Sequence, residues 1–371
     1  MEGLTMNCKW LLNVNRIVVI LAAALFLVSC GGPGPGAQVG GGQAAGQSQA
    51  GDKGASKAPL SVHFIDVGQA DCILIESEGK FMLIDAGNNA DAELVTGYLS
   101  DAGVKRLEYV IGTHPHEDHI GSLDTVIENF DVGKIFLPKV SHNTKTYEDV
   151  LNAIADKGLK VTVPRVGDSY DLGVSRFTIL APNADYQNDL NNWSIGIRLA
   201  FEDTAFVMAG DAEADAERDI CENGQELKAD VLKLGHHGSS TSSSEEFLQA
   251  VDPQYAVISC ETGNDYGHPH KETLEKMERF GIQVFRTDEQ GTVVAYSDGT
   301  TITWSCEPAI KNDGADNEKT QDYVVNTKTK KFHLPDCRSV ESIKEENRED
   351  FTGSRSELIE KGLEPCGNCR P

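Results

Sequence analysis

The chain has 371 residues, 39% of them apolar, enough for a sizeable buried core and for more than one domain. Its 33 basic residues face 58 acidic ones, a formal net charge of −25 that is spread along the chain rather than gathered in a tail. That balance excludes an extended basic face for a polyanion and leaves room for a small anionic group held at a metal-charged site.

Lys9 and Arg16 precede the apolar run IVVILAAALFLVSC, which is short for a membrane span and ends in small residues, the pattern of a secretory signal. Its ending, Leu27-Val28-Ser29-Cys30, resembles the bacterial lipobox. The resemblance implies a lipoprotein signal peptide over 1–29, a lipid on Cys30 as the link to the membrane, and a place on the outer face of the cytoplasmic membrane. An ordinary cleaved signal or a single anchor helix is the alternative. Residues 30–58, rich in Gly, Ala, Gln and Ser, then read as a flexible tether.

From residue 59 short apolar runs alternate with turn residues. LSVHFIDVG, CILIES, KFMLIDAG and LEYVIGTH predict strands, with DAELVTGYLSDAG an amphipathic helix before the last of them. Further strands are expected in KIFLPK, KVTVP, RFTILAP, SIGIRLAF, TAFVMAGD, DVLKLGHHG, YAVISC, QVFRT and TVVAYSDG. Helices are expected near 147–157, 212–221, 244–250 and 270–280. Two successive runs of mixed strands and helices suit an α/β domain over 59–306 in which two packed sheets are covered by helices. Polar residues 307–320 read as a linker, and 321–371 as a small separate module.

The densest chemical signal is GTHPHEDHIGS, which places His114, His116, Asp118 and His119 within six positions of a chain that holds only 10 histidines. The cluster follows the apolar strand LEYVIG, so a rigid strand end carries it. Neutral imidazoles and a carboxylate suit zinc or a similar divalent ion, and alternating side chains can divide between two ions. A His-rich polar loop without function is the plain alternative.

H-x-H-x-D-H is the signature of the metallo-β-lactamase-fold hydrolases, which this sequence resembles over about 60–306. IDVGQADCILIE, MLIDAGNN, FVMAGDAEADAE, DVLKLGHHGSSTSSS and NDYGHPH extend the likeness. The resemblance implies an αββα four-layer sandwich. It also implies that His114 and His116 serve one metal, that Asp118 and His119 serve another, and that Asp211 bridges them. His237 completes the second site, with His236 as the competing choice. Family members usually supply another His to the first metal. The only intervening one here, His142, stands too early, which leaves Asn192 or Ser194 as substitutes. The subgroup motifs look like the hydrolase domain of competence-type DNA-uptake channels and of secreted phosphorylcholine esterases.

The function so implied is a surface-anchored hydrolase with two divalent ions, Zn or Mn, acting on a phosphoester such as DNA, a nucleotide or a choline phosphoester. Asp118 would orient the attacking water and His268 would donate to the leaving group. No obligate protein partner is inferred. Lactone or thioester hydrolysis is another chemistry open to the fold, and a non-catalytic metal- or ligand-binding lipoprotein is the alternative outside enzymology. Asp66 and Asp85 read as strand-end hydrogen bonders, His63 as a packing residue, and Ser239 to Ser244 as a polar loop over the cleft.

In the tail, His333-x3-Cys337 and Cys366-x2-Cys369 offer one imidazole and three thiols, the donor set of a closed structural zinc site. A disulfide among the three thiols is the alternative for an exported chain. Cys72, Cys221, Cys260 and Cys306 show no paired spacing and read as buried free thiols.

Overall fold

The computed structural model describes residues 58–311, 321–366 and 369. The expected signal peptide, Cys30, most of the expected tether and the stretch 312–320 lie outside the described residues. Strands β1 (Leu60–Phe64), β2 (Ile73–Ser77) and β3 (Lys80–Ile84) form an antiparallel meander; β4 (Arg106–Ile111), β5 (Asp131–Phe136) and β6 (Val161–Thr162) then add in parallel. The second sheet repeats the plan. Its β7 (Ser169–Leu172), β8 (Ser175–Ile179), β9 (Ile197–Phe201) and β10 (Thr204–Met208) are antiparallel, and β11 (Val231–Lys233), β12 (Tyr255–Ile258) and β13 (Gln283–Arg286) are parallel. The chain then returns to the first sheet, where β14 (Val293–Ser297) pairs with β1 and β15 (Ile302–Trp304) closes the edge.

Parallel pairs need crossovers, and helices supply them. On the first sheet these are α1 (Ala92–Asp101), α2 (Glu117–Ile120), α3 (Leu123–Asn129) and α4 (Lys145–Asp156). On the second they are α5 (Ala214–Glu222), α6 (Glu245–Val251) and α7 (Lys271–Phe280), with the short α8 (Thr287–Gln290) leading back.

The period-two alternation of side chains builds the layers. On β3, Phe81 and Leu83 join the core under α1, α3 and α4, while Met82 and Ile84 enter the core between the sheets. On β10, Phe206 and Met208 face that same central core, and Ala205 and Val207 pack under α5 to α7. Both faces of each sheet are therefore covered, which is why these strands read as continuous apolar runs. The result is the expected αββα sandwich.

Several elements escaped sequence reading. Strand β7, SYDL, is largely exposed and carries little apolar pattern, and α3 spans only seven residues, too few to show a helical period. The expected linker also begins later than its polarity suggests, because Ile310 pairs antiparallel with Val284 of β13. In the tail, β16 (Gln321–Asn326), β17 (Lys331–His333), β18 (Arg348–Gly353) and β19 (Glu364–Pro365) form a four-stranded sheet, with α9 (Arg355–Glu360) between the last two. Its core is small: Tyr323, Val325, Phe332 and Leu358.

Candidate metal centre

The candidate ligands stand at the carboxyl ends of neighbouring strands. His114 follows β4, Asp211 follows β10 and His237 follows β11, so three strand ends converge from two sheets. His116 precedes the first turn of α2, and Asp118 and His119 lie on it. Gly121 lets this short helix seat against the preceding loop: a Cβ there would collide with the backbone of Asn88 and Asn89, and its N–H donates to Gly87 O at 2.8 Å. Gly210, at φ +52°, has room for no Cβ beside Ser194 and Thr113, which fixes where Asp211 leaves its strand. His236 and His237 both adopt left-handed conformations, φ 50° and 54°, a region that residues other than glycine populate sparsely.

Asp118, His119, Asp211 and His237 form one compact group whose donor atoms all lie within 4.8 Å of one another. His119 Nε2 is 3.2 Å from Asp211 Oδ1, yet the two atoms do not face each other as a hydrogen bond requires, and both are buried without a partner. Lone pairs that converge on a shared point rather than on each other are what a cation between them would satisfy. His237 Nε2 approaches Asp118 Oδ2 at 3.2 Å and Asp211 Oδ2 at 3.7 Å, completing the set.

A second group forms near Asp211 Oδ2. His114 Nε2 lies 2.9 Å from His116 Nδ1 and 3.9 Å from Asp211 Oδ2. Neither expected substitute for the absent histidine reaches this point. Asn192 turns away, its amide donating to Asp189 and its carbonyl receiving the N–H groups of Glu213 and Ala216 at the start of α5. Ser194 accepts from Asp211 N at 3.0 Å and stands 3.3 Å from His114 Nδ1, behind the imidazole rather than in front of it. His236 comes nearer: its Nε2 is 3.9 Å from the same Asp211 oxygen, and its Nδ1 is 3.2 Å from Glu213 Oε1. Both histidines of the HHG turn approach this oxygen, and only His237 also reaches Asp118. His142, whose Nδ1 pairs with Pro115 O at 3.2 Å, packs beside His116 with ring centroids 6.0 Å apart.

Buried carboxylates back these ligands. Asp85 accepts from Thr113 N–H and hydroxyl and lies 2.8 Å from His119 Nδ1, leaving Nε2 to face the centre. It is a strand-end hydrogen bonder, as expected, but one that orients a ligand. Asp71 lies 3.4 Å from His237 Nδ1, which also meets Ser259 O at 3.0 Å, and it receives Lys233 Nζ at 2.9 Å. Sequence reading overlooked Asp71, Lys233, Glu213 and the role of Asp85. A lysine in the apolar strand DVLKLG was the available signal, since a buried ammonium requires a buried acid.

The local electrostatics call for cations. Burial opposes charge on His237, but Asp211, Asp118 and Asp71 outweigh it and raise the imidazole to about 10; His119 is pushed upward in the same way. Against burial, His119 and His237 bring Asp118 down to about 2. The negative potential that would hold protons on these rings is the potential that divalent ions answer, and the donor set of imidazole and carboxylate fits them. His268 differs: burial and the neighbouring His236, His237 and His270 lower it to about 4, so its ring is neutral at pH 7. It stacks near His237 at 6.3 Å, and its Nδ1 lies 3.4 Å from the Gln69 amide. Ser239 to Ser244 do not form a cover, because Ser239, Ser242 and Ser243 are buried and the Glu217 carboxylate receives the N–H groups of Ser243 and Ser244.

A family model described as the metallo-beta-lactamase superfamily matches residues 65–262, just over half of the chain. The chain belongs to this superfamily. Among its relatives, ComE operon protein 3 of Bacillus subtilis (strain 168) is 31% identical over 251 residues, covering 62% of this chain and 32% of that protein. Competence protein ComA of Neisseria gonorrhoeae is 30% identical over 230 residues, 62% of this chain and 31% of that one. The chain therefore spans about a third of the length of these curated relatives. Among solved structures, Igni18, a metallo hydrolase from the archaeon Ignicoccus hospitalis KIN4/I, gives a TM-score of 0.45 at 20% identity over 63% of this chain and 98% of that one.

Beyond the region that the superfamily match covers, the tail brings His333, Cys337, Cys366 and Cys369 together, with donor atoms within 4.8 Å of one another. His333 ends β17, Cys337 opens the turn after it, and Cys366 follows β19, its N–H donating to Phe332 O at 2.9 Å. His333 Nδ1 is buried without a hydrogen-bond partner, and the three thiols are free of disulfides. Burial and the neighbouring thiols push Cys369 up to about 12, a cost that a bound cation would reverse. Of the four unpaired cysteines expected to be buried, Cys72 and Cys260 are; Cys221 and Cys306 are partly exposed.

Proposed function

We propose that this chain is a phosphodiesterase that uses a dinuclear metal centre, held outside the cell by a lipid on Cys30. The observation that carries the reading is Asp211: its Oδ1 faces His119, and its Oδ2 lies among His237, His114 and His236. A single buried acid shared by two ligand groups suits a bridged pair of divalent ions. His114 and His116 would hold the first ion, with His236 the nearest further imidazole. Asp118, His119 and His237 would hold the second. When bound, such ions supply Lewis-acid charge for phosphoryl oxygens and acidify water.

The chain's own groups do the rest. Asp118, one-third exposed at the mouth of the site, offers a carboxylate oxygen to orient an attacking water. His268, whose ring is neutral at pH 7, can offer its N–H as a hydrogen bond to the leaving oxygen, with the proton that the alkoxide needs coming from water. Glu213 fixes the ring of His236, and Asp85 and Asp71 fix those of His119 and His237. The tail's four ligands leave no coordination position open for water, so that site supports a structural zinc rather than chemistry.

The test is turnover of bis(p-nitrophenyl) phosphate by the full chain with Mn²⁺ or Zn²⁺, compared with Asp211→Asn. The expected result is metal-dependent hydrolysis that falls by roughly a hundredfold or more in the variant. Equal rates in the two proteins overturn the mechanism. Metal bound without turnover of any ester points to the binding-protein alternative.

A further inference from the structure

The two ligand groups that share Asp211 differ in what stands behind their imidazoles. Behind His119 is the buried carboxylate of Asp85, with Oδ2 2.8 Å from Nδ1. Behind His237 is the buried carboxylate of Asp71, 3.4 Å from Nδ1. An acid in that place fixes the ring and makes Nε2 a stronger donor. Behind His114 stand two hydroxyls instead: Thr113 at 3.2 Å, which donates to Asp85, and Ser194 at 3.3 Å, which accepts from Asp211 N. His116 is half-buried and rests beside the ring of His142. His236 does meet a carboxylate, Glu213, but both side chains are 25% exposed, and water competes for that contact.

Spacing separates the groups again. Two donors on one tetrahedral zinc, each about 2.1 Å from it, stand roughly 3.4 Å apart. Among Asp118, His119, Asp211 and His237 the nitrogen-to-oxygen separations are 3.2, 3.2, 3.7 and 3.8 Å, on either side of that value. Two of those atoms, His119 Nε2 and Asp211 Oδ1, are buried without a hydrogen-bond partner. His114 Nε2 and His116 Nδ1 are instead hydrogen-bonded to each other at 2.9 Å, while Asp211 Oδ2 is 3.9 Å from His114 Nε2 and from His236 Nε2. Seating an ion there means breaking the bond between the two histidines and parting their rings. The other group already has its donors at the required spacing.

We infer that the centre loads in order: a resident ion among Asp118, His119, His237 and Asp211, then an exchangeable ion at His114 and His116 that binds only when free divalent metal is abundant. This rests on the dinuclear reading above and adds how that centre is regulated. The supply of free metal sets the fraction of chains that carry both ions, and so the fraction that is active.

Mn²⁺ alone is the probe, because a hard ion leaves the thiols of the tail aside. The full chain, stripped of metal by a chelator, is titrated with Mn²⁺ and followed by electron paramagnetic resonance, which counts free ion and separates an isolated bound ion from a spin-coupled pair. The expected result is one Mn²⁺ per chain bound about a hundredfold more tightly than a second, with the coupled spectrum growing only as the second binds. His116→Ala should keep the tight ion and lose the weak one. Asp85→Asn should weaken the tight ion and narrow the gap between the two. Turnover of bis(p-nitrophenyl) phosphate should rise with the second step. Equal affinities with a coupled spectrum from the first additions, loss of the tight ion in His116→Ala, or full turnover with one ion bound overturns the inference and leaves a dinuclear centre standing. No coupled spectrum at saturating Mn²⁺ overturns the dinuclear reading, and the inference with it.

Discussion

Lys233 and Asp71 form an ion pair in the core of the sandwich, 2.9 Å apart with each residue 1% exposed. Burial works against both charges, and the Lys233 ammonium answers it by holding the Asp71 carboxyl well below its usual range. The pair joins the second sheet, through β11, to the loop before β2 of the first, and Asp71 in turn faces His237. Lys233→Met removes one member and leaves a buried carboxylate uncompensated. Stability is expected to fall by about 3–5 kcal/mol, read by urea unfolding. The double variant Lys233→Met/Asp71→Leu should recover most of that loss but not the metal affinity, since His237 would lack its orienting acid.

Asp85 permits a cleaner substitution. Its φ of 58° is one that asparagine tolerates, so Asp85→Asn keeps the backbone, removes the charge and replaces one accepting oxygen with an amide donor. Metal affinity is expected to drop about 10–100-fold with little change in circular dichroism, measured by chelator competition. An unchanged affinity would reduce Asp85 to a strand-end fastener.

The two histidines of the HHG turn should behave differently. His237→Ala takes a donor from the compact four-residue group and should lower the bound metal by about one ion per chain in elemental analysis. His236→Ala should leave that ion in place and weaken the other. Identical metal loss in both would contradict the division of the turn between the two groups.

His268 predicts an acid-sensitive contribution to stability. Its folded value, about 4, lies below the 6.5 of the free side chain, so the unfolded chain binds the proton more readily. The contribution is complete above pH 6.5 and is lost as the pH falls from 6.5 toward 4, at most on the order of 3 kcal/mol. In metal-free protein, His268→Gln should lose less stability than the unaltered chain over that window. A parallel decline in the two would show that His268 does not contribute.

In the tail, Cys366→Ser with Cys369→Ser should release about one zinc per chain and unfold β16 to β19, leaving hydrolase turnover largely intact. Full metal retention, or a disulfide at Cys337 in the purified protein, would exclude the zinc site.

The sequence by itself determined the layers and the ligand types. Apolar runs such as FMLI and AFVM alternate between two cores, so their pattern survives as strands whatever the neighbours are, and H-x-H-x-D-H packs four donors into one turn that needs no distant partner. The four candidate tail ligands, in two short spacings, were legible for the same reason. Only the tertiary structure decided which distant groups complete the centre. His236 and His237 are adjacent in sequence, but left-handed backbone at both turns one toward Glu213 and the other toward Asp118. Asn192 looked like a ligand and spends its side chain on the start of α5. Asp71 meets Lys233 across 162 positions. Local periodicity encodes burial because each residue feels it singly. A metal site depends on directions and distances between strand ends, and those exist only once the sheets have packed.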